Sequence, residues 1–360
     1  MSRPRLIAFY LPQYYPTKEN DEWWGKGFTE WSNVVKAKPL FKGHVQPKIP
    51  SDLGFYDLRL PETRIEQSKL AKDAGIEGFC YWHYWFAGHR LLDRVFNEVI
   101  NSGSPDFPFC LCWANHSWYA KTWDPSMPDK LLIEQTYPGI DDYTNHFYQM
   151  LSAFKDERYI KVEGKLLFGI FAPADIPDVH IFIETWNNLA KENGLNGFHF
   201  FAYSQKYDPS KYQWSKSFDS FVIDQLSACC GQAGSFSDYW HKALRRFLHI
   251  PRVFQYDKYT KYFLSNFINQ HNFYPSICPN FDHSPRSQHR GRIIVNSTPE
   301  KWGDFCKQIF DTVGNRPSQK NLVFIQAWNE WGEGNYLEPD LQFGCKYLQE
   351  LKYSFNNCIK

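Results

Sequence analysis

LVFIQAWNEWGEGNYLEP, residues 322–339, opens as an apolar run interrupted only by Gln326 and then sets Asn329, Glu330, Glu333 and Glu338 among tryptophans and glycines. An apolar run of seven residues rich in aliphatic and aromatic side chains reads as a strand buried on both faces, the kind a parallel sheet contains. Whatever follows the run emerges at the strand's C-terminal end. Seven earlier runs have the same character: RLIAFYL (5–11), GFCYWHY (78–84), FPFCLCWA (107–114), KLLFGIF (165–171), GFHFFAY (197–203), SFVIDQL (220–226) and FYPSICPN (273–280). Helical stretches fall between them, among them ETRIEQSKLAKDAG with Ile65, Leu70 and Ala71 on its apolar side, LLDRVFNEVINSG, IFIETWNNLAKENG and PEKWGDFCKQIFDTVGN. Several close on the glycine expected just past a helix end. Strand and helix alternating eight times predict an α/β fold, a (β/α)8 TIM barrel, with residues 1–360 read as one domain.

The long connections fall after strands, at 12–61, 85–90, 115–142, 227–272 and 281–299, so they gather at the C-terminal face of the strands. That is the face where barrels of this type keep their catalytic groups. An open doubly wound sheet is the runner-up, but the GxGxxG fingerprint after its first strand is absent.

Composition narrows the function. Charged residues are 22% of the chain and the formal net charge is +1, which gives no basic excess for nucleic acid. Aromatic residues reach 19%, more ring surface than a core requires. Spare rings commonly line pockets for flat or ring-shaped ligands, sugars among them. The N-terminal run is interrupted by Pro12 and Gln13, no small-residue cleavage site follows, and the nine cysteines form no CxxC pair. A cytoplasmic location is therefore expected.

Glu330 and Glu333 leave the last strand three residues apart, walled by Trp328 and Trp331. Two carboxylates held close in such surroundings have their pKa values pushed apart, which makes an acid and a base from one residue type. The ordinary alternative is a helix cap or a solvated loop. Asn329 and Trp331 join the same candidate binding surface, and Glu338 before Pro339 is read as ordering the loop or contacting ligand. Three other clusters sit at predicted strand ends or in the first loop. They are Glu30 and Trp31 in GFTEW, His83 and Tyr84 in YWHYWF, and Trp113, Asn115 and His116 in CWANHSW. A histidine inside an aromatic run is also commonly a core residue. The loop NFDHSPRSQHRGR (280–292) carries Arg286, Arg290 and Arg292, a candidate anion site for a phosphate or uronate, or else a solvated basic loop. No HExxH or other metal-ligand spacing, Walker loop, GxSxG elbow or Asp-x-Asp pair is present. No metal and no cofactor is expected.

These motifs resemble the WbsX-type proteins of bacterial O-antigen and capsule gene clusters, described as glycosyltransferases and similar to glycoside hydrolase family 99. The resemblance rests on RLIAFYLPQYYP, GFTEW, DLR, AKDAGIEGFCYWHYWF, CWAN and AWNEWGEGNYLEPD, which span nearly the whole chain. The NEWxEGxxxEP segment carries the likeness to the hydrolase family, whose members are retaining endo-α-mannosidases and endomannanases. That likeness implies Glu330 as the base that draws the proton from a sugar 2-hydroxyl, giving a 1,2-anhydro intermediate, and Glu333 as the acid. It implies an oligosaccharide or polysaccharide as the partner. Read from the residues rather than carried over by motif, Trp31, Tyr84 and Trp113 are candidate sugar platforms. Transfer from a nucleotide-sugar or lipid-linked donor, with the arginine loop on the diphosphate, is the alternative; a non-catalytic glycan-binding barrel is the third. YWHKALRRFLHIPRVF (239–254) reads as a helix with a basic face, a candidate for peripheral contact with membrane-bound polysaccharide assembly machinery.

Overall fold

Each of the eight apolar runs supplies one strand of a single parallel barrel. In chain order they are β1 (Arg5–Tyr10), β2 (Ile76–Phe86), β3 (Phe109–Trp113), β4 (Lys165–Ile170), β5 (Phe198–Ser204), β6 (Ser220–Ile223), β7 in two pieces (Phe273–Tyr274 and Ser276–Ile277) and β8 (Leu322–Ile325). The computed structural model describes residues 2–120, 129–204, 208–223, 250–263, 270 and 272–358. Sequential strands are neighbours throughout, and β1 also pairs with β8 in the register Arg5↔Leu322 to Ala8↔Ile325. Closure depends on β7. Phe273–Tyr274 pairs with β6 and Ser276–Ile277 pairs with β8. Pro275 divides the two because it has no N–H to give a ladder, yet its carbonyl still accepts from Phe324 N at 2.8 Å.

Rings fill the barrel. Phe9 stacks on Trp82 with centroids 4.7 Å apart, and Phe324 and Tyr203 complete the layer around it at 5.4 and 5.5 Å. Outside lie the helices Pro61–Asp73, Arg94–Ser102, Ile140–Phe154, Val179–Glu192, Tyr256–Phe263, Pro299–Val313 and Lys346–Asn357, while a 3-10 turn at Gln213–Ser217 stands between β5 and β6.

Two expectations are corrected. Of the expected apolar side of the helix Pro61–Asp73, Ala71 is buried and Leu70 packs partly buried against the core, but the face also buries the polar Arg64, Gln67 and Ser68 in place of Ile65. Arg64 donates through Nη1 to Leu58 O, and Gln67 reaches Glu338, so these buried polar side chains find partners, although Arg64 Nε has none. The stretch 85–90 is no open loop, since β2 runs on to Phe86 and turns back through His89–Leu91 as an antiparallel hairpin. Within the basic segment 239–254, residues up to 249 lie outside the described ones; Arg252–Gln255 form a short strand paired with Arg292–Val295, away from the barrel sheet. Among the described residues no helix is long and apolar enough to cross a membrane.

Candidate active site

β8 ends at Ile325, and the chain then makes a miniature hairpin in which Asn329–Glu330 pairs with Asn335–Tyr336 around a 3-10 turn, Trp331–Glu333. Glu330 and Glu333 therefore stand at the two ends of one rigid turn. Asn329 fixes its base by gripping Leu11, accepting from its N–H at 2.8 Å and donating to its carbonyl at 3.0 Å. Tyr14 bridges the next peptide, its hydroxyl donating to Asn329 O at 2.5 Å and accepting from Trp331 N at 3.0 Å. Behind the turn, Trp331 stacks flat on Tyr336 with centroids 3.7 Å apart and donates to Glu338 at 2.6 Å. Glu338 also accepts from Tyr56 at 2.8 Å and Gln67 at 2.6 Å. Burial pushes its carboxyl up to about 7 against those donors.

The two glycines of the turn leave room for other loops. A Cβ on Gly332 would collide with Glu30 Oε2 and lie 2.9 Å from Arg286 Nε. One on Gly334, whose φ is +53°, would lie 2.7 Å from the Asp282 Cβ. Both neighbours are thereby brought against the turn, and Asp282 N donates to Glu333 O at 2.7 Å. Asp282 in turn ties the seventh loop to the first through His44 at 2.7 Å and Gln46 at 2.5 Å. Burial works to raise Asp282, and its bonds to His44 and Ser284 outweigh it and hold the carboxyl below its ordinary value.

Arg286, on the short helix Ser284–Ser287, sits at the centre. Its guanidinium meets three carboxylates: Nη1 to Glu333 at 2.5 Å, Nε to Glu30 at 3.1 Å and Nη2 to Glu330 at 3.2 Å. Burial acts against the cation, yet the neighbouring Glu30, Glu333 and Glu330 raise its pKa well above the usual arginine value. Burial pushes Glu330 up to about 8; Arg286 opposes this, while Glu333 and Glu30 add to it. Tyr14 and Tyr84, close to the same charges, are raised by burial.

This cluster forms one wall of a cavity of about 720 Å³ at the C-terminal mouth of the barrel. Phe9, Trp82, Phe171 and Tyr203 make its floor, with Phe171 and Tyr203 stacked at 5.1 Å, and Trp24, Phe28, Trp118 and Tyr119 stand toward its mouth. Among the described residues no group of three or more His, Cys, Asp or Glu side chains is arranged to hold a metal ion.

Of the residues singled out in the sequence, Glu30, Tyr84, His116, Arg286, Arg292, Glu330 and Glu333 line the cavity. Trp31, His83, Trp113, Asn115, Asn329, Trp331 and Glu338 are buried and do not. Trp31 donates to Tyr56 O and packs on Trp331, holding the first loop to the turn. Trp113 donates to Trp85 O and packs against Phe182. Asn115 fastens the third loop, donating to Ala172 O and Tyr137. His83 pairs with His146 at 2.7 Å, and burial holds both rings well below the ordinary histidine value. Arg290 is exposed and off the cavity wall. Strand parity explains the errors on β2. Alternate side chains face opposite sides, so Tyr84 on the cavity carries Trp82 with it and turns His83 outward; Trp82 was legible by that rule and went unread.

A model of the family described as Glycosyltransferase WbsX matches residues 6–351. The chain belongs to the WbsX glycosyltransferase family. The uncharacterized protein WxcX of Xanthomonas campestris pv. campestris strain B100 is 35% identical over 356 residues, which is 95% of this chain and 48% of that protein. WxcX of a second strain of the same pathovar matches to the same extent. The chain thus spans about half the length of these curated relatives. Among solved structures, a glycoside hydrolase-like protein superposes with a TM-score of 0.62 at 14% identity, over 99% of this chain and 94% of that one. The GH99 endo-alpha-mannosidase from Bacteroides thetaiotaomicron gives 0.56 at 14% identity, over 99% and 98%. At such identity the likeness speaks for the barrel fold alone.

Proposed function

We propose that this WbsX-family barrel acts with retention on an α-linked glycan of a bacterial surface polysaccharide, with Glu330 as its base and Glu333 as its acid. One observation carries the proposal: two carboxylates at the ends of one rigid turn share Arg286 inside an aromatic-lined cavity at the barrel mouth. Near neutral pH Glu330, raised to about 8 by burial, keeps a proton. Arg286 contacts both Glu330 and Glu333. Two carboxyls set in unlike surroundings by burial and a shared cation are the equipment for acid–base chemistry.

The chemistry runs in two steps. Glu330 takes the proton of the sugar 2-hydroxyl as that oxygen attacks the anomeric carbon, and Glu333 gives its proton to the departing glycosidic oxygen. A bond from the anomeric carbon to O2 forms while the bond to the leaving oxygen breaks. Glu333 then takes a proton from the incoming water or sugar hydroxyl, which opens the 1,2-anhydro ring, and Glu330 returns a proton to O2. Two inversions give net retention. With a sugar hydroxyl as the incoming group the same site transfers glycosyl units, in keeping with the family's description.

Donation from a nucleotide-sugar is less well supported. Of the three arginines in the seventh loop, Arg286 is already enclosed by Glu30, Glu330 and Glu333 and Arg290 stands off the cavity, which leaves Arg292 on the cavity wall to meet the diphosphate.

The test is a proton NMR time course with α-linked mannose- and rhamnose-containing oligosaccharides, run beside Glu333→Gln. The expected result is an α-anomer released before mutarotation, with turnover cut roughly 10²–10⁴-fold in the variant. An initial β-anomer, or full activity in the variant, overturns the proposal. A variant that binds the oligosaccharides as the wild type does, with neither turning them over, favours a binding barrel.

A further inference from the structure

Arg286 makes its shortest contact with the carboxylate that the proposed chemistry requires as an acid. Nη1 lies 2.5 Å from Glu333, whereas Nη2 lies 3.2 Å from Glu330. A carboxylate clasped by a guanidinium gives up no proton, and a carboxyl holding its proton draws none from a sugar hydroxyl. As the site stands, therefore, the cation lies nearer the partner that the reaction uses as its acid. We infer that Arg286 is the positioning residue that decides which of Glu330 and Glu333 holds their single proton. The inference rests on the acid–base reading above and adds the group that switches it.

The geometry suits an exchange. A guanidinium is a planar fork with donors along both edges, and here its two terminal nitrogens already face the two glutamates while Nε is held by Glu30. The backbone beneath is fixed, because Ser284 N donates to Asp282, which is itself tied to His44 and Gln46. The side chain retains 24% of its surface exposed and lines the cavity, so a change of its rotamer needs no movement of the loop. The other ionisable groups facing the pair are Glu30 from the first loop, Tyr14, Tyr84 from β2, and His283 at 3.7 Å from Glu333. Arg292 also reaches the cavity wall.

When a leaving-group oxygen takes the place of Nη1, Glu333 loses its cation and Arg286 keeps Glu330 and Glu30. The proton then leaves a Glu330 oxygen and arrives on a Glu333 oxygen, with no other group gained or lost. Glu330 becomes the base and Glu333 the acid in one displacement.

The test titrates the carboxyls directly. The wild type, Arg286→Lys and Arg286→Met are labelled with ¹³C at the glutamate side-chain carboxyl and followed by NMR from pH 4 to 10, with Glu330→Gln and Glu333→Gln to assign the signals. In the wild type one carboxyl titrates at about 8 and is lost in Glu330→Gln. In Arg286→Met that step moves up by at least about one pH unit, as expected when an opposite charge in contact is removed, and Arg286→Lys falls between. The alkaline limb of kcat/KM, measured on an α-linked oligosaccharide the enzyme turns over, moves by the same amount. An unmoved Glu330 titration in both folded variants overturns the inference, whatever the turnover. A titration that moves while the limb stays shows that the proton is not the one used, and also overturns it. Absence of turnover with the titrations as expected rejects the functional reading and leaves Arg286 as the proton's placer.

Discussion

Replacing Glu330 with glutamine makes the fold less sensitive to alkali, and the size of the effect follows from where the carboxyl sits. In the folded chain burial raises it from 4.5 to about 8. The folded state thus binds this proton more tightly than the unfolded chain does. Stability from this group is fully present below the unfolded value and is lost as pH rises through the folded one. The gap of about 3.5 pH units corresponds to roughly 5 kcal/mol at about 1.4 kcal/mol per unit, of which about 4 kcal/mol is lost between pH 5 and pH 9. The side-chain amide in Glu330→Gln keeps an oxygen to accept from Arg286 and has nothing to ionise. The assay is urea denaturation of wild type and variant at pH 5, 7 and 9. The variant gains on the wild type by a few kcal/mol across that range, as expected when a functional group held against its solvation preference is removed. A stability difference constant within about 0.5 kcal/mol refutes the reasoning, because it means the buried carboxyl ionises as easily in the fold as outside it.

Gly332→Ala drives a methyl group into Glu30 Oε2 and to 2.9 Å from Arg286 Nε. Side-chain ends can yield, so a thermal melt close to the wild type is expected. Turnover falls on the order of 10²-fold from the misplaced quartet, which a rate measurement checks. The paired rings of His83 and His146 are held neutral by burial, below the ordinary 6.5. A depressed folded value contributes stability above 6.5 that is lost as pH falls. The melting temperature therefore declines on acidification from pH 7.5 to 4.5, and His146→Gln flattens that decline.

The strands were legible because a strand buried on both faces is a continuous apolar run, and the eight runs are separated by helices too polar to be confused with them. The carboxylate pair was legible because it lies directly behind the last run. Elsewhere composition misled. His83 and Trp113 drew notice as rings near strand ends, yet they face helices: His83 meets His146 on Ile140–Phe154, and Trp113 meets Phe182 on Val179–Glu192. Glu338 lies in the same segment as Glu330, but its three donors come from Tyr56, Gln67 and Trp331, so it braces the turn rather than facing the cavity.

The sequence by itself determined the barrel and put Glu330 and Glu333 at the end of its eighth strand, because hydrophobic periodicity and turn chemistry act over a few residues. Only the tertiary structure decided what surrounds them. Arg286 meets Glu333 across 47 residues and Glu30 across 256, and no local pattern records a contact made by three loops converging on one barrel mouth. In the sequence Arg286 is one of several arginines in a basic loop; in the fold it is the counter-ion of three acids. Closure of the barrel supplies the burial that raises Glu330, and that burial is a property of the assembled mouth rather than of any segment within it.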